Sequence, residues 1–194
     1  MVRTRVPILR GLTRGFTLIE LMVTLSVMAI VLSLALPSFA SLLASNRIST
    51  QTNELIGALN LARSEAVRRA QPVTLLASDA NYSQGWTVFP DANGNGAAAS
   101  ATDDTDGLPI RQTSAFSGRV TLKRQTCTGS PCTYADSTAA DNTYLVFTSR
   151  GGISTTAPAY FKACDPSNTS VKGRLLQVNV VGKITLLNTS LACT

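Results

Sequence analysis

Four cysteines are the side chains most able to form covalent bonds in this sequence: Cys127, Cys132, Cys164 and Cys193. An even number of cysteines in an exported chain predicts two disulfides, with three possible pairings. We favour Cys127–Cys132, a small ring turned by glycine, serine and proline, and Cys164–Cys193, which would tie the C-terminal tail to a strand. A zinc site with four cysteine ligands is the alternative, but the spacing lacks the paired C-x-x-C motifs of such sites.

Oxygen-bearing side chains are concentrated in the segment that begins Asp91-Ala-Asn93-Gly-Asn95-Gly96. It matches the opening of an EF-hand loop, but position twelve is Thr102 and not the bidentate glutamate that completes coordination. Three later acids could supply oxygen by another route: Asp103, Asp104 and Asp106. Because a loop between strands also favours Asp, Asn and Gly, we expect no metal. Asp91, Asn93 and Asn95 remain the alternative, a calcium site.

Catalytic chemistry has little support in the composition. The chain has no histidine, which removes Ser–His–Asp and Cys–His triads and the histidine-containing zinc sites. No Ser-x-x-Lys motif is present, and Gly94 and Gly96 lie in an Asp-rich loop rather than in a phosphate-binding turn before a helix. We therefore expect a protein that is not an enzyme and has no cofactor.

The sequence begins with a basic flank, which is followed by a long apolar run. Four arginines and no acid lie in the first 15 residues: Arg3, Arg5, Arg10 and Arg14. The next 21 residues, Phe16 to Leu36, carry a single charge, Glu20. As a helix they span about 31 Å, the thickness of a bilayer's hydrocarbon core, with the basic flank on the cytoplasmic side. A cleaved secretory signal is the alternative, but its apolar core is usually ~7–15 residues long, and no small-x-small cleavage site precedes Pro37.

Gly15-Phe16-Thr17-Leu18-Ile19-Glu20, at the head of the apolar run, resembles the signature of type IV prepilins and pseudopilins. The resemblance implies cleavage between Gly15 and Phe16, N-methylation of Phe16, and an assembly role for Glu20. A carboxylate in bilayer hydrocarbon is costly without a partner, and Glu20 could neutralise the free amine of a neighbouring subunit's Phe16. Cleavage would also reduce the formal charge from +6 to +2, so most of the basicity lies in the leader.

The helix is expected to continue beyond the apolar run. Pro37 lacks an N–H and clashes with the preceding turn, which predicts a kink there. Arg63, Arg68 and Arg69 are interpreted as a solvated face, with Glu65–Arg69 as a favourable i,i+4 pair. Apolar residues recur at helical spacing between residues 38 and 70: Leu55, Ile56, Leu59, Ala62, Ala66, Val67 and Ala70.

Pro72 ends the helical pattern, and short β-rich runs separated by Gly, Asn, Asp and Ser follow. Strands are predicted at 73–78, 85–89, 108–113, 118–125, 143–148, 158–163, 174–181 and 183–187. The last two form a hairpin that turns at Gly182-Lys183. A long helix followed by successive strands is an α+β plan, with the helix laid on an antiparallel sheet.

Later segments resemble the GspH/FimT group of minor pilins and pseudopilins. They are Ala58-Leu59-Asn60-Leu61-Ala62-Arg63-Ser64-Glu65-Ala66, Gly85-Trp86-Thr87-Val88-Phe89-Pro90-Asp91, Phe147-Thr148-Ser149-Arg150-Gly151 and Val180-Val181-Gly182-Lys183-Ile184. The resemblance implies a pilin-like fold and a structural subunit that primes or caps a type IV pilus, or the pseudopilus of type II secretion. The implied partners are other minor pilins or pseudopilins, the major pilin, the prepilin peptidase/methyltransferase and the inner membrane.

DNA is a further partner that the resemblance raises. Some FimT-like members take up DNA through a Gly-Arg-x-Arg tract, and the matching stretch here, Gly173-Arg174-Leu175-Leu176, lacks the second arginine. Lys172 and Lys183 lie near it in the sequence. Another basic strand is expected to hold Arg119, Lys123 and Arg124. Few aromatic residues accompany these charges to stack on bases, so a solvated face is favoured over a DNA site.

These patterns divide the precursor into four segments. They are a leader peptide at 1–15, a transmembrane and assembly helix at 16–37, its amphipathic continuation at 38–70 and a periplasmic β-sheet domain at 71–194. We expect a single-pass protein of a bacterial inner membrane, with a periplasmic C-terminal domain, that enters a pilus or pseudopilus. Pilus assembly is favoured, with type II secretion and DNA uptake as the alternatives.

Overall fold

The computed structural model describes residues 15–78, 82–96, 108–116, 119–129, 132–136, 143–168, 170–191 and 193. The predicted leader up to residue 14 lies outside these ranges, as do Thr102 and the acids at 103–106 that were considered for calcium. The chain divides into two compact units, Met1–Ala40 and Ser41–Thr194.

One long helix, α1, runs over 52 residues from Leu18 to Arg69. It ends because Ala70 takes a left-handed φ of 54°, and Pro72, which cannot continue a helix, follows two residues later. The predicted limit at residue 70 is therefore one residue too long. Pro37 lies inside the helix, and the kink expected there stays a prediction.

From residue 41 onward, α1 buries one face within its own unit. The buried apolar residues follow the helical period: Ala44, Ile48, Leu55, Ala58, Leu59, Ala62 and Ala66. Two residues predicted to extend this stripe do not. Val67 is 54% exposed, and Ala70 is exposed beyond the end of the helix.

Nine strands follow in the part of the chain that the structure describes. Their bounds are β1 Val73–Ala77, β2 Gly85–Pro90, β3 Arg111–Ser114, β4 Thr121–Thr128, β5 Thr133–Asp136, β6 Tyr144–Phe147, β7 Ala159–Cys164, β8 Gly173–Val178 and β9 Ile184–Leu191. A short 3-10 helix, Tyr82–Gln84, precedes β2. The strands pair antiparallel in two sheets, with the orders β3-β2-β1-β6 and β5-β4-β7-β8-β9.

The sheets differ from the sequence prediction in three respects. One sheet was expected and two are present. Strand β5 was missed, because its sequence Thr-Tyr-Ala-Asp lacks an apolar alternation and it is recognisable only through its pairing with β4. Strand β4 begins at Thr121, so Arg119 precedes it. The predicted hairpin of β8 and β9 is confirmed, with Val178 opposite Ile184, but β8 ends at Val178 and the connection spans residues 179–183, so the turn predicted at Gly182-Lys183 begins earlier.

The core of the second unit combines the buried face of α1 with residues of both sheets. Trp86 on β2 is fully buried and packs edge-on against Phe116, with ring centroids 5.1 Å apart. Tyr82 meets Phe161 of β7 in the same way at 5.1 Å. The first pair joins β2 to the segment after β3, and the second joins the short helix before β2 to the second sheet, so both contacts link elements that are far apart in sequence.

Candidate functional site

The N-terminal end of α1 carries the residues of the prepilin-like signature. Thr17 precedes the helix, and its Oγ1 accepts a hydrogen bond of 3.2 Å from the Glu20 backbone N–H. The Thr17 carbonyl accepts the Leu21 N–H at 3.2 Å. Thr17 is therefore the N-cap and Glu20 the third helical residue, the pattern T-x-x-E of a capping box. The sequence analysis missed this role of Thr17, although that spacing could have indicated it.

Glu20 combines two properties at this end of the helix. Its side chain is exposed, and it lies in the first turn of α1, where the helix dipole favours negative charge. Phe16 is 83% exposed one turn away, and Gly15 before it has open space on its Cα. The geometry leaves both the cleavage-motif residues and the carboxylate accessible to another protein.

The described part of the first unit presents an exposed apolar surface. Every residue from 15 to 40 is exposed. Within the described residues, α1 is the one helix long and apolar enough to cross a membrane, by its length and composition. Such a surface is unfavourable in water and requires lipid or other helices around it.

Near its C-terminal end, α1 makes a junction that the sequence did not reveal. Arg63 Nε donates to the Gly151 carbonyl at 2.9 Å, and Arg63 Nη2 donates to the Val181 carbonyl at 3.2 Å. We call Arg63, Gly151, Val181 and Gly182 the Arg63 junction. Arg63 was expected on a solvated face; it is instead half-buried, because its guanidinium satisfies two loop carbonyls.

Two glycines allow the loops of the Arg63 junction to approach each other. Gly151 and Gly182 have φ of +80° and +77°, which side chains disfavour. A Cβ at Gly182 would collide with the Gly151 carbonyl oxygen. Ile153 N–H also donates to the Val180 carbonyl at 3.0 Å. Three of the segments that resemble the GspH/FimT group thus meet at one place and share a structural role.

Glu65 lies beside this junction in a small charged cluster on α1. Its carboxylate accepts hydrogen bonds from Arg68 and, at 2.8 Å, from Arg69 Nε. The bonds from Arg68 and Arg69 hold the pKa of the Glu65 carboxyl below its ordinary value. The expected Glu65–Arg69 pair is present, and Arg68 is a second partner at i+3.

The second unit contains two disulfides, Cys127–Cys132 and Cys164–Cys193, and no free cysteine in its described residues. They are the pairings that the sequence favoured. The first closes the β4–β5 hairpin. The second joins the end of β7 to residue 193, and its sulfurs lie against Gly173, where a Cβ would collide with Cys164 Sγ. It therefore ties the C-terminal tail to the second sheet.

Asp91, the first calcium candidate, accepts hydrogen bonds within its own loop and from β1. It is 4% exposed, and its Oδ2 accepts bonds from Thr74 Oγ1 at 2.6 Å and from the Gly96 N–H at 2.9 Å. The Asn95 N–H donates to Asp91 Oδ1 at 3.2 Å and to Asn93 Oδ1 at 2.9 Å. These oxygens organise the loop after β2, while calcium binding at Asp91, Asn93 and Asn95 remains an untested alternative to the expectation of no metal.

The candidate DNA contacts do not form one cluster. Lys172 and Arg174 flank the start of β8, whereas Lys183 follows its far end, about 20 Å away at the rise of a strand. In the other basic stretch, Lys123 Nζ is 2.7 Å from Asp136, and Arg124 donates to the Tyr144 carbonyl. Partial burial opposes ionisation of Asp136, but bonds from Gln125 and Lys123 outweigh it and lower the pKa of that carboxyl. These charges are committed to internal contacts or separated along the sheet.

A long N-terminal helix, exposed at first and then packed on antiparallel sheets, is the architecture of a pilin-like protein. The chain matches the family described as type II transport protein GspH over residues 51–182 and the prokaryotic N-terminal methylation motif over residues 11–36. No curated protein sequence matches it significantly. The chain therefore belongs to the GspH family of minor pilins and pseudopilins, which serve type IV pili or type II secretion.

Solved structures of a minor pilin share this fold. Two crystal forms of the type IV minor pilin FimU of Pseudomonas aeruginosa are 23% identical to the chain, with TM-scores of 0.56 and 0.54. The matches cover 77% and 75% of this chain and 96% and 99% of FimU. The minor pseudopilin EpsH of the Vibrio cholerae type 2 secretion system is 13% identical with a TM-score of 0.46, over 73% of this chain and 96% of EpsH.

Proposed function

We propose that the protein is a minor pilin that primes or caps type IV pilus assembly and has no catalytic activity. This proposal rests on residues 15–40. They are exposed throughout, and Glu20 is the one charged residue among them. Such a helix must be surrounded first by lipid and then by the helices of other subunits. The folded second unit, with its two disulfides, would remain outside the membrane, in the periplasm.

Processing is the first step of the proposed function. The prepilin peptidase would cut between Gly15 and Phe16, and Phe16 would then receive one methyl group. The N-terminal methylation motif at residues 11–36 supports this step. Glu20, one turn from the new amine, would neutralise the amine of a neighbouring subunit within the helix bundle. The partners would be other minor pilins and the major pilin.

Type II secretion is the second candidate function. The family description, type II transport protein, favours it. In that system the same helix would assemble with other minor pseudopilins, and no change in the chemistry of Gly15, Phe16 or Glu20 is required. The two functions differ in the machine served and therefore in the phenotype of a deletion.

A deletion strain complemented with variants tests the proposal. Pilus assembly predicts that loss of the protein reduces sheared surface pili while the amount of secreted proteins is unchanged. Glu20→Ala should fail to restore pili. Glu54→Ala, which deletes a carboxylate in the second half of α1, is the control and should restore them. Normal piliation together with a secretion defect would support the second function and contradict the first.

Processing has its own measurement. The intact mass of protein extracted from membranes should correspond to loss of residues 1–15 and gain of one methyl group. A Gly15→Leu variant should keep its full-length mass. A full-length mass for the unaltered protein, in a strain with an active peptidase, would contradict the processing step.

A further inference from the structure

A groove beside the Arg63 junction has no assigned role. It lies wholly within the second unit and encloses about 850 Å³. One wall is the exposed face of α1, with Gly57, Leu61 and Val67. Arg111 at the start of β3 and Arg150 in the loop after β6 also line the groove, and β3 and β6 are the two edge strands of the first sheet. The groove is large enough for several side chains of a partner.

The charged residues described in the lining of the groove are all basic: Arg63, Arg68, Arg111 and Arg150. Arg63 is occupied by loop carbonyls and Arg68 by Glu65. Arg111 and Arg150 are exposed, and neither forms an ion pair in the part of the chain that the structure describes. Among the described residues, these two guanidinium groups therefore have no acidic partner.

Gly57 gives an independent indication of contact at this groove. Glycine weakens the interior of a helix relative to alanine, so a glycine there needs a reason. A Cβ at Gly57 would meet nothing within 4 Å, and therefore no packing among the described residues requires the missing side chain. The absence of a Cβ leaves the helix wall of the groove open to close approach by another backbone.

The chemistry of the walls favours one class of partner. A guanidinium presents a planar fork that binds carboxylates through two hydrogen bonds. Leu61 and Val67 add an apolar strip on the helix wall. The described lining residues contain no aromatic side chain on which nucleic-acid bases could stack. We propose that this groove binds an acidic segment of a neighbouring protein, with Arg111 and Arg150 pairing its carboxylates.

The inference goes beyond the proposed function, because it specifies the partner's chemistry and holds whether the protein serves a pilus or a secretion system. It can be tested without either machine. The full chain in neutral detergent micelles is titrated against a fluorescein-labelled hexaglutamate peptide, and binding is followed by fluorescence anisotropy. Hexalysine and a single-stranded DNA 20-mer are the comparison probes.

The groove variant is the double substitution Arg111→Gln and Arg150→Gln. Each lost charged hydrogen-bonding group should weaken hexaglutamate binding about tenfold. The charge-matched control is Arg47→Gln with Arg119→Gln, two exposed arginines outside the groove, which should change affinity less than about twofold. Equal weakening by both pairs would overturn the proposal, since it would show only general charge attraction.

Gly57→Leu separates binding from folding. The added side chain has open space among the described residues, so the thermal stability should not fall, yet it would extend from the helix wall into the groove and weaken peptide binding at least about tenfold. Unchanged affinity in this variant would contradict the proposed site. Tighter binding of the DNA 20-mer than of hexaglutamate would assign the groove to nucleic acid and overturn the acidic-protein proposal.

Discussion

Both halves of α1 are helical, but they differ in burial: the first half is exposed, and the second half buries one face. Up to residue 40 every described position is exposed, although most side chains are large and apolar. From residue 41 onward, one face is buried against the sheets, and Leu55, Leu59 and Ala62 have no exposed surface. Helix formation by itself therefore does not determine whether a helix packs against its own chain or against other molecules.

The difference teaches how one element can carry two functions. The second half derives stability from its own unit, through a stripe of small and branched residues and through Arg63. Among the described residues the first half buries no face, so its apolar surface is available for lipid and for other subunits. Changes in the second half should therefore act on folding, and changes in the first half on assembly.

The largest expected effect tests whether the second unit carries the folding stability. Replacing Cys164 and Cys193 by serine should lower its free energy of unfolding by about 3.5 kcal/mol, because the bond closes a long loop. Unfolding in urea is followed by the fluorescence of Trp86, the single tryptophan and fully buried, for the full chain in neutral detergent. Replacement of Cys127 and Cys132 should cost only about 2 kcal/mol, since that loop is short. A larger loss from the short loop would contradict the prediction.

Matched leucines compare the two halves directly. Leu59→Ala should cost about 3 kcal/mol in the same measurement, because it removes buried methyl groups and leaves a cavity. Leu25→Ala, at a residue 58% exposed, should change it by less than about 0.5 kcal/mol. The comparison between the halves would fail if the two substitutions cost the same. Incorporation into sheared filaments should show the reverse sensitivity when expression is matched.

Arg63 provides a smaller effect of a different kind. Arg63→Ala should destabilise the second unit by about 2 kcal/mol, because two loop carbonyls lose a charged donor. Arg47→Ala, an exposed arginine on the same helix, is the control and should change stability by less than about 0.5 kcal/mol. Hydrogen exchange should increase at Gly182 and Ile153, whose N–H groups lie in the two loops. Unchanged exchange there would show that Arg63 does not hold the loops.

The smallest expected effect concerns Glu65, whose pKa lies below its ordinary value of 4.5 because Arg68 and Arg69 bond its carboxylate. A carboxyl with a lowered folded-state pKa contributes stability above its unfolded pKa and loses it as the pH falls through the folded value. Glu65→Gln should therefore cost up to about 1 kcal/mol at pH 7, and the difference from the unaltered chain should decrease as the pH falls below 4.5 and vanish below the lowered folded-state pKa. If the stability difference between Glu65→Gln and the unaltered chain persisted at low pH, the cause would be packing and not the charge of Glu65. Glu54→Gln is the control for removing a carboxylate from α1.

Much of the fold was accessible from the sequence because its signals are local. The apolar run, the helical spacing of Leu55, Leu59 and Ala62, and the hairpin of β8 and β9 are patterns within a few turns or strands. Strand β5 was missed because its four residues form a strand only through pairing with β4. The division into two sheets was also missed, since alternation along a strand indicates a buried face but not which strands are neighbours.

The candidate site divides in the same way. The sequence by itself determined the segment Gly15–Glu20 and the apolar helix after it, because composition and spacing along one helix suffice to specify them. It also limited the pairing of four cysteines to a few choices. Only the tertiary structure showed the hydrogen bonds of Arg63, because its partners Gly151 and Val181 lie 88 and 118 residues away in the chain. The groove of Arg111 and Arg150 likewise exists only when α1, β3 and the loop after β6 meet, since contacts between distant segments depend on chain topology and not on local pattern.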